Sequence, residues 1–107
     1  MSFKDLLGKE LLFFDGAMGT MLQARGLKPG ELPELWNFTH ADVIKEVHTA
    51  YLKAGVNIIK TNTFGANRLK FAGTDIKTAE VVAAGVKNAK EACAPFEKTF
   101  VALDLGP

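Results

Sequence analysis

Leu11-Leu12-Phe13-Phe14-Asp15-Gly16-Ala17-Met18-Gly19-Thr20 sets a continuous apolar run against an acid and two glycines. A run of four apolar residues closed by a polar one is the pattern of a strand covered on both faces, as in a parallel sheet. Asp15 then stands at the mouth of that strand, where parallel α/β proteins keep their chemistry. Gly16 and Gly19 permit a tight turn with exposed backbone amides and close approach of a ligand. Two roles for Asp15 remain open at this point: a cap for the following helix, or a binding group.

Outward from this stretch, strands and helices alternate. Met18 to Ala24 makes a short helix that Gly26 stops, and Leu27 to Pro33 forms a loop bearing proline and glycine. Thr39 has the character of an N-cap, with Asp42 three residues on to reach back, so a helix is expected from near His40. Its apolar face is Val43, Ile44, Val47, Ala50, Tyr51 and Ala54, and Gly55 ends it. Val56 to Thr61 is a β-branched strand, succeeded by Asn62-Thr63-Phe64-Gly65. Thr74 or Asp75 caps a second long helix with the stripe Ile76, Ala79, Val82, Ala83, Val86, Ala89 and Cys93, before Pro95 forbids continuation. Gly85 either weakens this helix or lets a neighbour come close. Phe100 to Leu105 is the third strand, ending in Asp104-Leu105-Gly106-Pro107.

The expected order is β-α-β-α-β, and right-handed crossovers make the three strands parallel neighbours. Three strands with no closing helix, and with apolar edges, read as a piece of a (β/α)8 TIM barrel, which takes ~250 residues, rather than as a complete fold. The fold class is therefore α/β, with residues 1–107 as an N-terminal portion and no second domain.

Composition narrows the function classes. The 107 residues are 48% hydrophobic and 23% charged with net charge +1, an ordinary globular balance that gives no basic footprint for nucleic acid. No stretch approaches the ~20 apolar residues of a membrane helix, and the N-terminus lacks a secretory h-region, so a cytoplasmic location is expected. Cys93 is the one cysteine, which excludes an internal disulfide and a local cysteine metal cluster; among alanines on a helix it reads as a small buried hydrophobe. His48, on the first long helix, reads as a packing histidine.

Asp15 to Thr20, Glu34-Leu35-Trp36-Asn37, His48 with Tyr51 before Ala54-Gly55, Thr61 to Gly65, and Asp104 to Pro107 occur in an order and spacing that resembles the homocysteine S-methyltransferase domain family. The likeness is strongest to the N-terminal part of the cobalamin-dependent methionine synthases, and it covers nearly the whole chain. It implies a (β/α)8 barrel and methyl transfer to the sulfur of homocysteine, giving methionine. It also implies zinc held by three cysteines to activate the thiol, with methylcobalamin as methyl donor, recharged from methyltetrahydrofolate on another domain. A thiol attacks as its thiolate, which explains the metal.

The zinc cysteines of the family lie on later strands, and Cys93 matches none of their motifs. The resemblance therefore assigns this chain part of the homocysteine site, without zinc or methylcobalamin of its own and without activity alone. The implied substrate-binding residues are Asp15, Gly16, Ala17, Trp36, Asn62, Thr63 and Asp104. Asp15 would pair with the substrate ammonium, and the Gly16 and Ala17 amides would face its carboxylate. Trp36 would shield the sulfur region, while Asn62, Thr63 and Asp104 either shape the pocket or anchor loops. The partners implied are homocysteine and the remainder of the barrel with cobalamin and folate domains. Two alternatives stay open: another barrel enzyme binding a pterin or phosphate ligand, and a non-catalytic β/α module that self-associates through its strand edges.

Overall fold

The computed structural model describes residues 15–64 and 77–104. The expected first strand before Asp15, the Thr74 or Asp75 cap, Ile76 and the final Leu105 to Pro107 lie outside the described residues. The elements are α1 (Met18–Ala24), a 3₁₀ turn (Pro33–Leu35), α2 (Trp36–Thr39), α3 (Ala41–Lys53), β1 (Ile58–Lys60), α4 (Thr78–Cys93) and β2 (Phe100–Ala102). The architecture is α/β. β1 and β2 pair in parallel, with Ile58 opposite Phe100, Ile59 opposite Val101 and Lys60 opposite Ala102. The connection between them runs through α4, the crossover that a parallel pair requires.

β1 is also bonded on its other side. The Asp15 amide donates to the Ile58 carbonyl at 3.0 Å, whereas Asn57 and Thr61 bond towards β2 through Phe100 and Ala102. Alternate residues of a strand direct their main-chain groups to opposite neighbours, so β1 lies between the Asp15 segment and β2. The Asp15 segment, β1 and β2 thus lie side by side in chain order.

Two apolar clusters hold the helices in place. Leu22, Leu27, Trp36, Ile44 and Val47 form one beneath α1, and Leu52, Ile59, Ala89 and Ala92 form the other between the sheet and the long helices; Tyr51 packs against both. Fully burying each of the leucine, isoleucine and valine side chains stabilises by about 1.5–3 kcal/mol. Gly26 and Gly55 have φ of 108° and 106°, the left-handed geometry that ends α1 and α3 where expected.

Three local expectations are corrected. Thr39 does not cap α3: Trp36 to Thr39 makes a separate helical turn, and the Thr39 hydroxyl lies 3.3 Å from the Leu35 carbonyl and 2.7 Å from His40 Nδ1. The N-cap is His40, with φ −136° and ψ 44° and no side-chain capping bond; Asp42 still complements the helix dipole from the first turn. On α3, Ala50 and Ala54 are exposed, and the buried residues are Ile44, Val47, His48 and Leu52. On α4 the buried face is Val81, Gly85, Asn88, Ala89 and Ala92, about one residue round from the expected stripe; Ala79 and Ala83 are exposed, and Val82, Val86 and Cys93 half-buried. The rotation has a physical cause, because α4 packs against α2 and the segment beyond β1 through its glycine and an asparagine, neither of which registers as apolar.

At Gly85 an added Cβ would stand 2.8 Å from Thr63 Cγ2, 3.0 Å from Asn37 Nδ2 and 3.4 Å from the Asn62 carbonyl. Of the two roles open for Gly85, close packing is the one observed. Asn88 uses the same approach, its Nδ2 donating to the Asn37 carbonyl at 3.1 Å.

Candidate functional site

A cavity of about 290 Å³ opens at the carboxyl ends of β1 and β2. Its wall includes Asp15, Gly16 and Ala17 from the segment leading into α1, Lys60 to Phe64 beyond β1, Pro33 and Glu34 from the 3₁₀ turn, and Asp104 beyond β2. Six of the seven residues singled out from the sequence thus converge on one cavity. Glu34, Lys60, Thr61 and Phe64 join them without having been singled out as site residues. Glu34 carried a signal, since it opens the Glu-Leu-Trp-Asn motif and is 4% exposed, unusual burial for a carboxylate. Lys60 carried none, because a lone lysine in a strand reads as a solvated position.

Trp36 is the exception. It is buried in the cluster beneath α1, stacks on the His40 ring at a centroid distance of 4.0 Å, and directs its indole nitrogen to Glu31 at 3.4 Å. It does not line the cavity.

Asp15 is 7% exposed and does not cap α1, whose N-cap Ala17 has no side-chain capping bond. Its Oδ1 instead accepts the Lys60 amide at 3.2 Å. A parallel ladder continuing from the Asp15 to Ile58 bond would give Lys60 the Asp15 main-chain carbonyl as its acceptor. The carboxylate takes that carbonyl's place. Burial pushes the Asp15 carboxyl above its ordinary value, the amide and charge of Lys60 pull it back, and the Asp104 charge adds to the rise. Gly16 answers to a different constraint from ligand approach: an added Cβ would stand 2.6 Å from the Tyr51 hydroxyl, so it is Tyr51 of α3 that comes close.

On the opposite side of β1 the ladder ends in the same manner. Thr61 donates its amide to the Ala102 carbonyl at 2.9 Å, after which the Asp104 amide would bond to the Thr61 carbonyl. It bonds to the Thr61 hydroxyl at 3.1 Å, while the Thr61 carbonyl accepts the Thr63 amide at 2.9 Å. The strands part at this point and side-chain oxygens complete both ladders, which opens the cavity between the strand ends.

Asn62 and Thr63 are engaged by the protein itself. Asn62 Nδ2 donates to the Pro33 carbonyl at 2.8 Å and to Asn37 Oδ1 at 3.1 Å, tying the 3₁₀ turn to the end of β1. Asn37 Nδ2 returns a bond to the Asn62 carbonyl at 2.8 Å and reaches the Val81 carbonyl of α4 at 3.3 Å. Asn37, 3% exposed, is therefore the hub of the cavity's rear wall. The Thr63 hydroxyl donates to the Asp104 carbonyl at 2.7 Å.

The donors around the cavity are carboxylate, hydroxyl and main-chain groups, and among the described residues no three His, Cys, Asp or Glu side chains converge as a metal site. This set does not fit a zinc ion that activates a thiol, which calls for sulfur and nitrogen ligands. Cys93 is half-buried beside the second cluster, and burial pushes its thiol up, away from the reactive thiolate. His48 is fully buried with neither ring nitrogen hydrogen-bonded, and burial lowers its pKa to about 4, so it is a neutral packing group near pH 7. No helix among the described residues is long and apolar enough to cross a membrane.

A sequence profile described as homocysteine S-methyltransferase matches residues 12–107. The chain is 32% identical over 115 residues to a methionine synthase of Mycobacterium tuberculosis and 33% identical over 119 residues to one of Mycobacterium leprae. Each alignment covers 96% of this chain and 10% of the relative, so the chain spans about a tenth of their length. The crystal structure of the Escherichia coli homocysteine methyltransferase MmuM in its metallated form superposes with a TM-score of 0.77 at 28% identity. The superposition covers 97% of this chain and 41% of that one. The oxidised form of MmuM gives 0.75 at 27% identity.

Proposed function

Because the chain belongs to the homocysteine S-methyltransferase family, we propose that residues 1–107 form the first three strands of a (β/α)8 barrel domain that methylates the thiol of homocysteine to give methionine. The cavity at the strand ends holds the amino-acid end of that substrate. The observation that carries this reading is the convergence of Asp15, Asp104 and Lys60 on one cavity at the carboxyl ends of parallel strands. An amino acid presents an ammonium and a carboxylate, and a wall with both carboxylates and an ammonium is complementary to it.

Asp15 supplies the charge for the substrate ammonium. Its Oδ1 is held by the Lys60 amide, which aims the carboxyl group before any ligand arrives. Lys60 and the main chain at Gly16 and Ala17 face the substrate carboxylate. Asn62 and Thr63 shape the cavity by holding its walls, and Phe64, 58% exposed at the cavity, offers apolar surface to the aliphatic, thiol-bearing part of the ligand. Zinc and methylcobalamin belong to other parts of the complete enzyme, so this chain alone binds the amino acid and transfers no methyl group.

Calorimetric titration of L-homocysteine into the chain and into Asp15→Asn tests this. Asparagine keeps an oxygen for the Lys60 amide and removes the charge, so affinity is expected to fall by about tenfold or more, the scale of one charge-assisted hydrogen bond. Equal affinities, or no binding by the unsubstituted chain, would overturn the reading.

A further inference from the structure

Thr61 and Thr63 are 2% and 1% exposed, and their hydroxyl oxygens lie 2.7 Å apart. A threonine hydroxyl has a single proton to donate. Thr63 gives its proton to the Asp104 carbonyl, so the bond between the two hydroxyls runs from Thr61 to Thr63. Thr61 in turn accepts the Asp104 amide. The bonds close into a circuit with one direction: Asp104 amide to Thr61, Thr61 to Thr63, Thr63 to Asp104 carbonyl. Both main-chain groups of Asp104 are thereby held by side chains of the neighbouring strand end, at the point where regular pairing has stopped.

We propose that Thr61 and Thr63 are positioning residues, whose hydroxyl circuit fixes the main chain of Asp104 so that its carboxylate stands at the cavity wall with Asp15, making a two-carboxylate wall selective for an ammonium group. The ammonium as ligand rests on the function proposed above; the circuit and its hold on Asp104 do not. Buried bonds of this kind polarise one another, and each is costly to leave half made. The geometry also explains why a hydroxyl residue stands at both positions and a β-branched one at Thr63. The hydroxyl of each serves the circuit, and the Thr63 methyl lies against Gly85 of α4, which locks its rotamer.

The charged groups around Asp15 are Lys60 on β1, Asp104 beyond β2 and Glu34 on the 3₁₀ turn, with Cys93 on α4 within range of its field. Burial is the main cause of the rise in the Asp15 carboxyl, and of these neighbours Asp104 is the one whose charge adds a smaller part in the same direction. Releasing Asp104 from the wall lowers the Asp15 midpoint where the burial of Asp15 itself is unchanged.

The test is carboxyl-carbon NMR titration of Asp15 in the unsubstituted chain, Thr63→Val and Thr63→Ser, with L-homocysteine affinity measured on each. Valine keeps the shape and removes the hydroxyl; serine keeps the hydroxyl. The expected result is an Asp15 midpoint displaced to lower pH with at least a fivefold loss of affinity in Thr63→Val, and both restored in Thr63→Ser. An unchanged midpoint in a folded Thr63→Val overturns the circuit. A lowered midpoint with no homocysteine bound by any form keeps the circuit and overturns the amino-acid ligand. Should Thr63→Val not fold, hydroxyl-proton exchange in the unsubstituted chain decides: slowly exchanging Thr61 and Thr63 hydroxyls support the circuit, and rapid exchange of either one overturns it.

Discussion

Replacing Gly85 by alanine should destabilise this protein, although alanine is the better helix former. In an exposed helix interior the exchange is favourable by about 0.8–1 kcal/mol. At Gly85 the new methyl meets Thr63 Cγ2 at 2.8 Å and Asn37 Nδ2 at 3.0 Å, where carbon contacts settle at about 3.5–4.0 Å. One wall must retreat by roughly 0.7 Å or more, and neither is free to do so. Thr63 is held in the hydroxyl circuit, and Asn37 Nδ2 bonds to both the Asn62 and Val81 carbonyls. Overpacking costs about 1–3 kcal/mol and the upper part of that range applies to walls this firmly held, so after the helical gain the net loss reaches about 2 kcal/mol. Gly19→Ala provides the contrast: Gly19 lies in α1 without positive φ, and nothing stands within 4 Å of its added Cβ. The same exchange there should stabilise by about 0.4–1 kcal/mol. Urea denaturation followed by far-ultraviolet circular dichroism measures both. A Gly85→Ala variant as stable as the parent, or two variants shifted alike, would refute the claim that close approach of α4 to the cavity wall is what demands the glycine.

His48 predicts a distinct acid sensitivity. Its folded-state pKa of about 4 lies below the ordinary 6.5, so as pH falls the unfolded chain takes up the proton first. Stability is then full above pH 6.5 and drains away towards pH 4, by up to about 3 kcal/mol, and His48→Leu should abolish that component in urea melts across this range. Equal pH slopes in the two proteins would show that His48 is not buried neutral. Asn37→Ala should cost about 2–3 kcal/mol, because it strips a donor from the Asn62 carbonyl and an acceptor from the Asn62 side chain at a buried position, and loss of less than 0.5 kcal/mol in the same assay would contradict its place as hub of the rear wall.

The alternation of elements, the parallel pairing and the glycine stops were legible in the chain because they follow from local rules. Hydrophobic period separates strand from helix, and Gly26 and Gly55 end helices through their own backbone freedom. Asp15, Asn62 and Asp104 were legible as strand-end residues for the same reason, since polarity just past an apolar run needs no knowledge of neighbours. Thr39 was misread within its own local sequence, and the buried stripe of α4 where a tertiary neighbour overrode the local signal. His40 takes the capping position expected of Thr39, and α4 turns towards α2 and the end of β1 the glycine and asparagine that its hydropathy pattern passes over.

By itself, then, the sequence determined the two long helices, the short helix after Asp15 and the parallel pair of described strands, and which polar residues follow that pair. Tertiary structure alone decided what those residues do with their hydrogen bonds. Asp15 and Thr61 end two ladders with side-chain oxygens, Asn62 and Thr63 serve the walls, and Trp36 belongs to the core while Glu34 and Lys60 reach the cavity. The physical reason is that secondary structure is set by interactions a few residues apart. The Asp15 carboxylate and the Thr61 hydroxyl acquire their roles from Lys60 and Asp104, partners more than forty residues distant that folding brings within hydrogen-bonding reach.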